Sequence, residues 1–160
     1  MLGWTVLQTS EIRDLATRPG VPKPDGVLYD ASPMSVAEAF FAFYQRSHQW
    51  DPVAADKGAL DILASHVSEA AHTLLVQVDG AVAAVGCMWP RESGWEFSGG
   101  ACLDASGPAV AALLDAASAI AAGAAVLVEV DSDMAEVHQA LAGRRSTLRD
   151  AVSIMGRLPP

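Results

Sequence analysis

The chain has 160 residues, 51% of them hydrophobic, and a formal net charge of −9 at pH 7. Such a composition excludes a disordered chain and predicts a single domain that buries its own core. The acidic balance argues against a nucleic-acid partner and against binding to an anionic membrane, because both present negative charge.

Cysteine and histidine usage points to neither disulfide nor metal chemistry. Cys87 and Cys102 form no CxxC pair, and the four histidines show no spacing typical of metal ligands. We therefore expect two free, buried thiols and no metal site. The N-terminus has no basic segment followed by an apolar run, so we predict no signal peptide and a cytoplasmic protein. Residues 109–128 are nearly all apolar, but their many alanines and Asp115 favour a buried helix and strand over a membrane span.

The first 25 residues are predicted to be an N-terminal arm, and residues 26–160 a single domain. Trp4–Gln8 has the pattern of a short strand, and Ser10–Thr17 has that of a helical segment with Ser10 as its N-cap. Arg18–Asp25 contains three prolines and a glycine, which predicts an extended linker.

A strand and two helices are predicted at the start of the domain. Gly26–Asp30 has the composition of a strand. Ser32-Pro33 then opens a helix, and aromatic residues recur at helical spacing as far as about Trp50. A second helix is predicted over about Lys57–Ala71, with leucines on one face.

The centre of the chain is a predicted β-hairpin. Two apolar runs, Leu74–Val78 and Val82–Met88, flank Asp79-Gly80, a dipeptide typical of a tight two-residue turn. Both runs are apolar at almost every position, so this hairpin is predicted to lie inside a sheet that is covered on both faces.

A third antiparallel strand is predicted over Trp95–Leu103. Gly99-Gly100 inside it predicts a bulge or a close approach of another group. The rest of the chain is predicted to form a helix, a strand, a helix and a final strand: Pro108–Ala122, Ala125–Val130, residues 133–141 behind a cap at Asp131-Ser132-Asp133, and Ala151–Met155. The predicted class is therefore α/β (α+β), with a mixed, mainly antiparallel sheet flanked by helices on both faces.

This order of elements resembles the GNAT acyltransferase fold from about Gly26 to Leu158. In that family the C-terminal part holds a strand, an Asp-Asn helix cap, a helix, Gly-Phe, and a last strand ending in Met-x-Arg. The matching residues here are Val126–Val130, Asp131-Ser132, Ala135, Gly143-Arg144 and Met155-Gly156-Arg157. The resemblance implies transfer of an acetyl or other acyl group from acetyl-CoA, or another acyl-CoA, to an amine of a small molecule or protein.

The phosphate-binding segment departs from the family pattern. The family uses Gln/Arg-x-x-Gly-x-Gly/Ala, whose backbone amides and following helix end hold the CoA pyrophosphate. The corresponding segment, LDASGPA over residues 103–109, has no Gln or Arg and one glycine. Pro108 removes an amide donor and Asp104 adds a negative charge. The residues that the resemblance assigns to the cofactor are Leu103, Ser106, Gly107 and Ala109.

The resemblance also suggests two catalytic residues. Glu96 lies on the strand where the family places a general base, although a solvent-facing glutamate is the alternative. The family's tyrosine acid would fall at Gln139 or Leu141, and neither tyrosine of this chain lies in that helix. The adjacent His138 is the predicted substitute acid.

Two other features have two interpretations each. Glu129 lies inside an apolar strand, so it is either a functional group in a cleft or half of a buried ion pair. Trp89 and Trp95 either line an acceptor pocket or pack at a sheet edge.

Two functional hypotheses remain open. The first is a GNAT-like acyltransferase with Glu96 as base and His138 as acid. The second is a degenerate or repurposed GNAT-fold domain without acetyl-CoA activity, which catalyses another reaction in the same cleft or acts as a binding module, with a homodimer as one expected assembly. The poor phosphate-binding segment and the missing tyrosine favour the second hypothesis, whereas the order of elements favours the first.

Overall fold

The structure, a computed structural model, describes residues 5–102 and 106–156. These residues form one seven-stranded sheet and four α-helices. The strands are β1 (Thr5–Leu15), β2 (Val27–Tyr29), β3 (His72–Val78), β4 (Ala81–Arg91), β5 (Gly94–Ala101), β6 (Ala125–Asp131) and β7 (Ser146–Gly156). The helices are α1 (Pro33–Ser47), α2 (Ala59–Ser68), α3 (Gly107–Ala121) and α4 (Ala135–Ala142), with a 3-10 turn at Pro52–Ala55.

The strand order is β2-β3-β4-β5-β6-β1-β7, and every neighbouring pair is antiparallel except β5 with β6. Helix α1 packs on β3, β4 and β5 on one face, and α3 packs on the same strands on the other face. The predicted class is therefore confirmed, because the sheet is mixed, mainly antiparallel and flanked by helices on both faces. None of the described helices is long and apolar enough to cross a membrane.

The β3–β4 hairpin lies inside the sheet, as predicted. Asp79 and Gly80 adopt φ angles of 51° and 80°, which suit a tight turn. Leu74 packs in the core beneath α3, whereas its neighbour Leu75 packs in the core beneath α1 and α2. Because successive side chains of a strand point to opposite faces, a sheet covered on both faces needs apolar residues at both positions.

The predicted close approach at Gly99 is confirmed, and it involves an aromatic ring. Gly86 on β4 and Gly99 on β5 pair across the sheet, and the buried ring of Phe97 lies over both. A Cβ at Gly86 would stand 2.6 Å from Phe97 Cε2, and one at Gly99 would stand 2.6 Å from the Val85 carbonyl oxygen. The β4–β5 pairing has no register shift, so a close approach explains Gly99 and no bulge is involved.

The sequence prediction is partly wrong for the N-terminal segment. The strand predicted over Trp4–Gln8 is confirmed for residues 5–8, but the helix predicted over Ser10–Thr17 is wrong, because Thr5–Leu15 forms one strand between β6 and β7. This strand belongs to the sheet, so the predicted arm over residues 1–25 does not describe it. Register shifts interrupt its pairing with β7 at two points, which breaks the two-residue alternation that marks a strand in sequence. Both of its partner strands come from the other end of the chain, so no local pattern indicates them.

Some element ends also differ from prediction. Helix α4 begins at Ala135, after the predicted cap, because the Ser132 amide donates to the Thr9 carbonyl at 2.8 Å and ties this segment to β1. Helix α1 ends at Ser47, three residues before Trp50. The last strand is longer than predicted and begins at Ser146.

The two cysteines are free and buried, as predicted. Burial raises the pKa of the Cys87 thiol to about 12. Burial also raises the pKa of Cys102 to about 11, although the nearby Arg46 opposes this shift. Both side chains are therefore protonated core residues rather than nucleophiles.

Candidate functional site

The parallel strands β5 and β6 separate half-way along their length. Gly94–Phe97 pairs with Ala125–Val128, and the described residues beyond these points in the two strands do not pair with each other. Ser98–Ala101 stays paired with β4, while the end of β6 stays paired with β1. The sheet therefore opens into a gap between two strands that are each anchored on their outer side.

A cavity of about 150 Å³ lies at the start of this gap, on the face covered by α1 and α2. We call it the carboxylate pocket. Its lining residues are Phe40, Leu63, His66, Val67, Trp89, Glu96, Ser98 and Glu129. The pocket thus has apolar walls from the two helices and two carboxyl groups from the separating strands.

Glu96 lies on β5 with its side chain in the carboxylate pocket and 22% exposed. Its carboxylate accepts a hydrogen bond from Arg91, at the end of β4, and the two side chains form an ion pair. The alternative of a fully solvent-facing glutamate does not describe this side chain. A carboxylate that faces a pocket is placed to bind a cation or to accept a proton.

Glu129 stands two residues beyond the β6 partner of Glu96, on the same face of the sheet. Its side chain is exposed, and among the described residues it has no ion-pair partner, so the buried ion pair considered from the sequence is wrong. Partial burial of the carboxyl group raises its pKa, and the negative charge of Asp131 raises it further. A raised pKa makes this carboxylate a better proton acceptor than an ordinary glutamate.

An aromatic wall closes one side of the carboxylate pocket. The rings of His66 and Trp89 stack with centroids 4.9 Å apart and an interplanar angle of 19°. The indole nitrogen of Trp89 is buried and has no hydrogen-bond partner among the described residues. Trp89 thus lines the pocket, whereas Trp95 packs against the core beneath α3.

On the opposite face of the sheet, a larger cavity of about 540 Å³ lies between α3 and α4. We call it the α3–α4 pocket. It is lined mainly by small residues at the start of both helices: Gly107, Pro108, Ala111, Ala135, Glu136, Gln139 and Ala140. Inside the gap, Met134 and Val137 approach Gly100, whose Cβ would stand 3.9 Å from each. The two pockets thus lie on opposite faces of the sheet and differ in character: the carboxylate pocket includes residues of β5 and β6, whereas the α3–α4 pocket is lined by the two helices.

Several solved structures are similar to this fold over nearly the whole chain. An acetyltransferase from the GNAT family of Colwellia psychrerythraea matches 96% of this chain and 56% of its own, with a TM-score of 0.55 and 14% identity. A GCN5-related N-acetyltransferase from Sphaerobacter thermophilus matches 96% and 52%, with a TM-score of 0.52 and 11% identity.

This chain has the GNAT fold. A functionally unknown conserved protein from Staphylococcus epidermidis is similar as well, over 94% of this chain and 61% of its own, with a TM-score of 0.59 and 10% identity. The chain thus spans 52% to 61% of the length of these three structures. No protein-family model and no curated protein matches the sequence. At such low identity the likeness shows the fold alone.

The four residues that the GNAT resemblance assigns to the cofactor are placed differently from one another. Gly107 lines the α3–α4 pocket, and Ser106 and Ala109 are buried. Ala109 packs in the core beneath α3. Leu103 lies outside the described residues. Of the three that the structure describes, Gly107 is therefore the one that lines the pocket.

Of the two positions that the resemblance predicts for the GNAT tyrosine, the one that lines the α3–α4 pocket is Gln139. Its side-chain oxygen is 3.9 Å from where a Cβ at Gly107 would stand, whereas Leu141 is buried. His138 lies one position away on α4, and its Nε2–H donates to the Asp131 carbonyl at 3.1 Å. Among the described pockets, His138 lines neither the carboxylate pocket nor the α3–α4 pocket. Its role as an acid stays a prediction.

The charges near the α3–α4 pocket are mostly engaged with the protein. Glu136 is the charged residue in its lining, and Pro108 has no amide hydrogen to offer. Arg144 donates to Asp115 at 2.6 Å and also to two backbone carbonyls of α3 and α4, so it joins the helices. Arg46 of α1 donates to the Cys102 carbonyl at 2.6 Å and brings a cation to the end of β5.

Two residues of this region were not found from the sequence. His66 enters the carboxylate pocket from α2, and Arg46 reaches β5 from α1. Neither residue belongs to a motif, because the packing of distant elements brings each one to its place. His66 and Trp89 lie on different elements, so their stacking corresponds to no characteristic spacing in the sequence.

A separate polar cluster lies at the end of α1. His48, Asp131 and Asp133 bring three possible ligand atoms within 4.8 Å of one another. The buried His48 already has protein partners at both ring nitrogens: Nε2–H donates to Gln8 at 3.0 Å, and the Ser47 hydroxyl lies 2.8 Å from Nδ1. These contacts fix the end of α1 against β1.

Proposed function

We propose that this chain transfers an acyl group from an acyl-CoA thioester to an amine across the β5–β6 gap. The observation that supports it is the parallel pairing that ends at Phe97 and Val128 with a pocket on each side. In this proposal the amine lies in the carboxylate pocket and the thioester approaches from the α3–α4 pocket.

The residues around the α3–α4 pocket fit an acyl-CoA in shape better than in charge. Small side chains leave about 540 Å³, and the N-terminal end of the 15-residue α3 carries a partial positive charge near Gly107. Glu136 and the missing amide of Pro108 oppose a phosphate group there. We therefore propose acyl-CoA binding that is weak and sensitive to salt.

In this proposal Glu96 and Glu129 have different roles toward the amine. Acyl transfer needs an uncharged nitrogen, so a carboxylate must first remove a proton from the ammonium group. Glu129 pairs with the ammonium group at the mouth, and Glu96 takes one proton from it and passes that proton to water. The uncharged nitrogen then bonds to the acyl carbon, Glu96 takes a second nitrogen proton, and the carbon–sulfur bond breaks. A thioester supplies an activated carbonyl and a thiolate leaving group. Water protonates the leaving thiolate, because the ring of His138, the acid predicted from the sequence, bonds to the Asp131 carbonyl outside both pockets.

Thermal shift and thiol release test this proposal together. Millimolar acetyl-CoA should raise the Tm, and an added amine should start the release of free thiol. Gly107→Glu adds a negative side chain to the α3–α4 pocket and should abolish the Tm rise. Gly58→Glu, at the N-terminus of α2, is the matched control and should keep it. A wild-type protein without any response to acetyl-CoA would contradict the proposal.

A second candidate function is a pairing module without acyl transfer, supported by the edge strand β7. Its residues 147–155 are all exposed, and they include Leu148, Val152, Ile154 and Met155. A long, apolar edge strand is a template for pairing with another chain. We propose that two copies pair through β7, so Val152→Lys should turn a dimer into a monomer in light scattering. A wild-type monomer at 100 μM or so would contradict this assembly.

A further inference from the structure

The carboxylate pocket continues into an apolar groove between α1 and α2. This α1–α2 groove has a volume of about 440 Å³, and it shares Phe40, Leu63 and His66 with the pocket. Its other apolar lining residues include Phe41, Val53 and Ile62. These three shared residues place the groove, which lies between the two helices, next to the pocket that holds Glu96 and Glu129.

The groove leaves large apolar side chains exposed to water, which is unfavourable. Ile62 is 71% exposed and Val53 is 49% exposed, although both stand beside a recess that an apolar group could fill. Burying apolar area of this kind contributes free energy in proportion to the area removed from water. The groove is therefore suited to the apolar body of a ligand.

The carboxylate pocket has the opposite character. Two carboxyl groups lie there, and the one counter-ion in the described ion pairs is Arg91 on Glu96. Glu129 faces the site without an ion-pair partner among the described residues, and a cationic group would complement it. The flat wall of His66 stacked on Trp89 lies between the apolar and the acidic parts.

Trp89 gives separate evidence that a ligand could bind against this aromatic wall. Its indole N–H is buried and has no partner among the described residues, which costs free energy in the ligand-free protein. The π face of an aromatic ring placed against this wall can accept a weak hydrogen bond from this donor.

We propose that the acceptor is a primary amine on an aromatic body, as in the arylalkylamines. The ammonium group lies at Glu129 and Glu96, and the ring lies against the aromatic wall and in the α1–α2 groove. The inference rests on the proposed function for its chemistry. As a statement about binding, it holds or fails without an acyl donor.

Calorimetric titration of the protein without acyl donor tests the binding. The probes are 2-phenylethylamine, ethylamine and 2-phenylethanol. We expect 2-phenylethylamine to bind at least about tenfold more tightly than either of the others, because each of these lacks one of the two recognised parts. Equal affinity of 2-phenylethylamine and ethylamine would overturn the proposal, and so would equal affinity of 2-phenylethylamine and 2-phenylethanol.

Two variants locate the ligand. Ile62→Lys puts a cation into the exposed part of the groove and should weaken 2-phenylethylamine binding at least about fivefold. Val78→Lys makes the same change at another exposed apolar residue, on the β3–β4 hairpin, and should leave the affinity unchanged. An Ile62→Lys protein that binds like Val78→Lys would overturn the placement in the groove.

The outcomes separate this inference from the proposed function. Tight 2-phenylethylamine binding without thiol release from acetyl-CoA would contradict the acyl transfer and support the acceptor class. Thiol release with ethylamine or a lysine peptide, but none with 2-phenylethylamine, would support the acyl transfer and overturn the acceptor class.

Discussion

The two sides of the β5–β6 gap differ in how much of the required chemistry they hold. The carboxylate pocket has two carboxyl groups, a stacked aromatic pair and an apolar groove that leads to it. The α3–α4 pocket is larger, yet the described residues that line it include Glu136 and no cation. For the proposed acyl transfer, the carboxylate pocket therefore offers groups that suit an amine, whereas the α3–α4 pocket offers the thioester mainly space and a helix end.

This difference shows that the opening of the sheet and the binding of phosphate are separate properties. The gap follows from backbone pairing, in which β5 is held by β4 and β6 is held by β1. Phosphate affinity depends on side chains and free amides at the start of α3. The sheet opens in this chain, but the start of α3 offers few groups that could bind phosphate. Substitutions on each side should therefore affect different kinetic constants.

The largest expected effect is on the amine side. Glu96→Gln should lower kcat for acyl transfer about 10² to 10⁴-fold, because it removes the general base and keeps the shape. The affinity for acetyl-CoA should stay the same, since Glu96 lies across the gap. Glu92→Gln removes the same charge from the neighbouring turn and should leave kcat within twofold. Equal loss in both variants would contradict the role of Glu96.

A gain of function is expected at Gln139. Gln139→Tyr places a phenol in the α3–α4 pocket and should raise kcat about tenfold by protonating the leaving thiolate. His138→Gln should lower kcat less than about threefold, because its ring bonds to the Asp131 carbonyl outside both pockets. Steady-state kinetics decide: a loss of more than tenfold in His138→Gln would assign the acid to His138 and contradict this ordering.

A smaller gain is expected in donor affinity. Glu136→Lys reverses the charge in the α3–α4 pocket and should lower the KM for acetyl-CoA about fivefold, since reversing one charge near a phosphate is worth on the order of 1 kcal/mol. The gain should shrink in 0.5 M salt or so. Glu38→Lys on the exposed side of α1 is the control and should have no effect. An unchanged KM in Glu136→Lys would show that charge does not limit the thioester side.

The smallest effect concerns the stability of the folded chain. The raised pKa of Glu129 means that the folded state holds its proton more tightly than the unfolded state. Its contribution to stability is present below the unfolded pKa and is lost as pH rises through the folded pKa. Glu129→Gln should therefore raise the Tm at pH 7 by less than about 2 °C and leave it unchanged near pH 3.5. A Tm difference that is the same at both pH values would refute this, with Glu92→Gln as the charge-matched control.

The parts of the fold that local chemistry controls could be predicted from the sequence. Asp79-Gly80 defines the hairpin turn, and Pro33 and Pro108 mark helix starts within one residue. The start of β1 was predicted within Trp4–Gln8, but its continuation to Leu15 could not be, because its pairing is non-local and its alternation is broken by register shifts. A local sequence pattern indicates the backbone conformation near a residue. It does not indicate which distant element packs against that residue.

The candidate site divides in the same way. Glu96 and Trp89 could be placed near a pocket because the strand order of the resembled family fixes their strands. His66 and Arg46 could not, since each arrives from a helix whose position depends on tertiary packing. The apolar position of Glu129 suggested burial, but the separation of β5 from β6 exposes its side chain, and no sequence pattern indicates where two strands part.

The central claim is that the two pockets serve one reaction. The most direct measurement is the release of free thiol from acetyl-CoA in the presence of 2-phenylethylamine, with mass spectrometry of the product. We expect one N-acetylated amine for each thiol released, a lower kcat in Glu96→Gln and a higher acetyl-CoA KM in Gly107→Glu. Thiol release that does not depend on the amine, or its absence at millimolar acetyl-CoA, would contradict the claim.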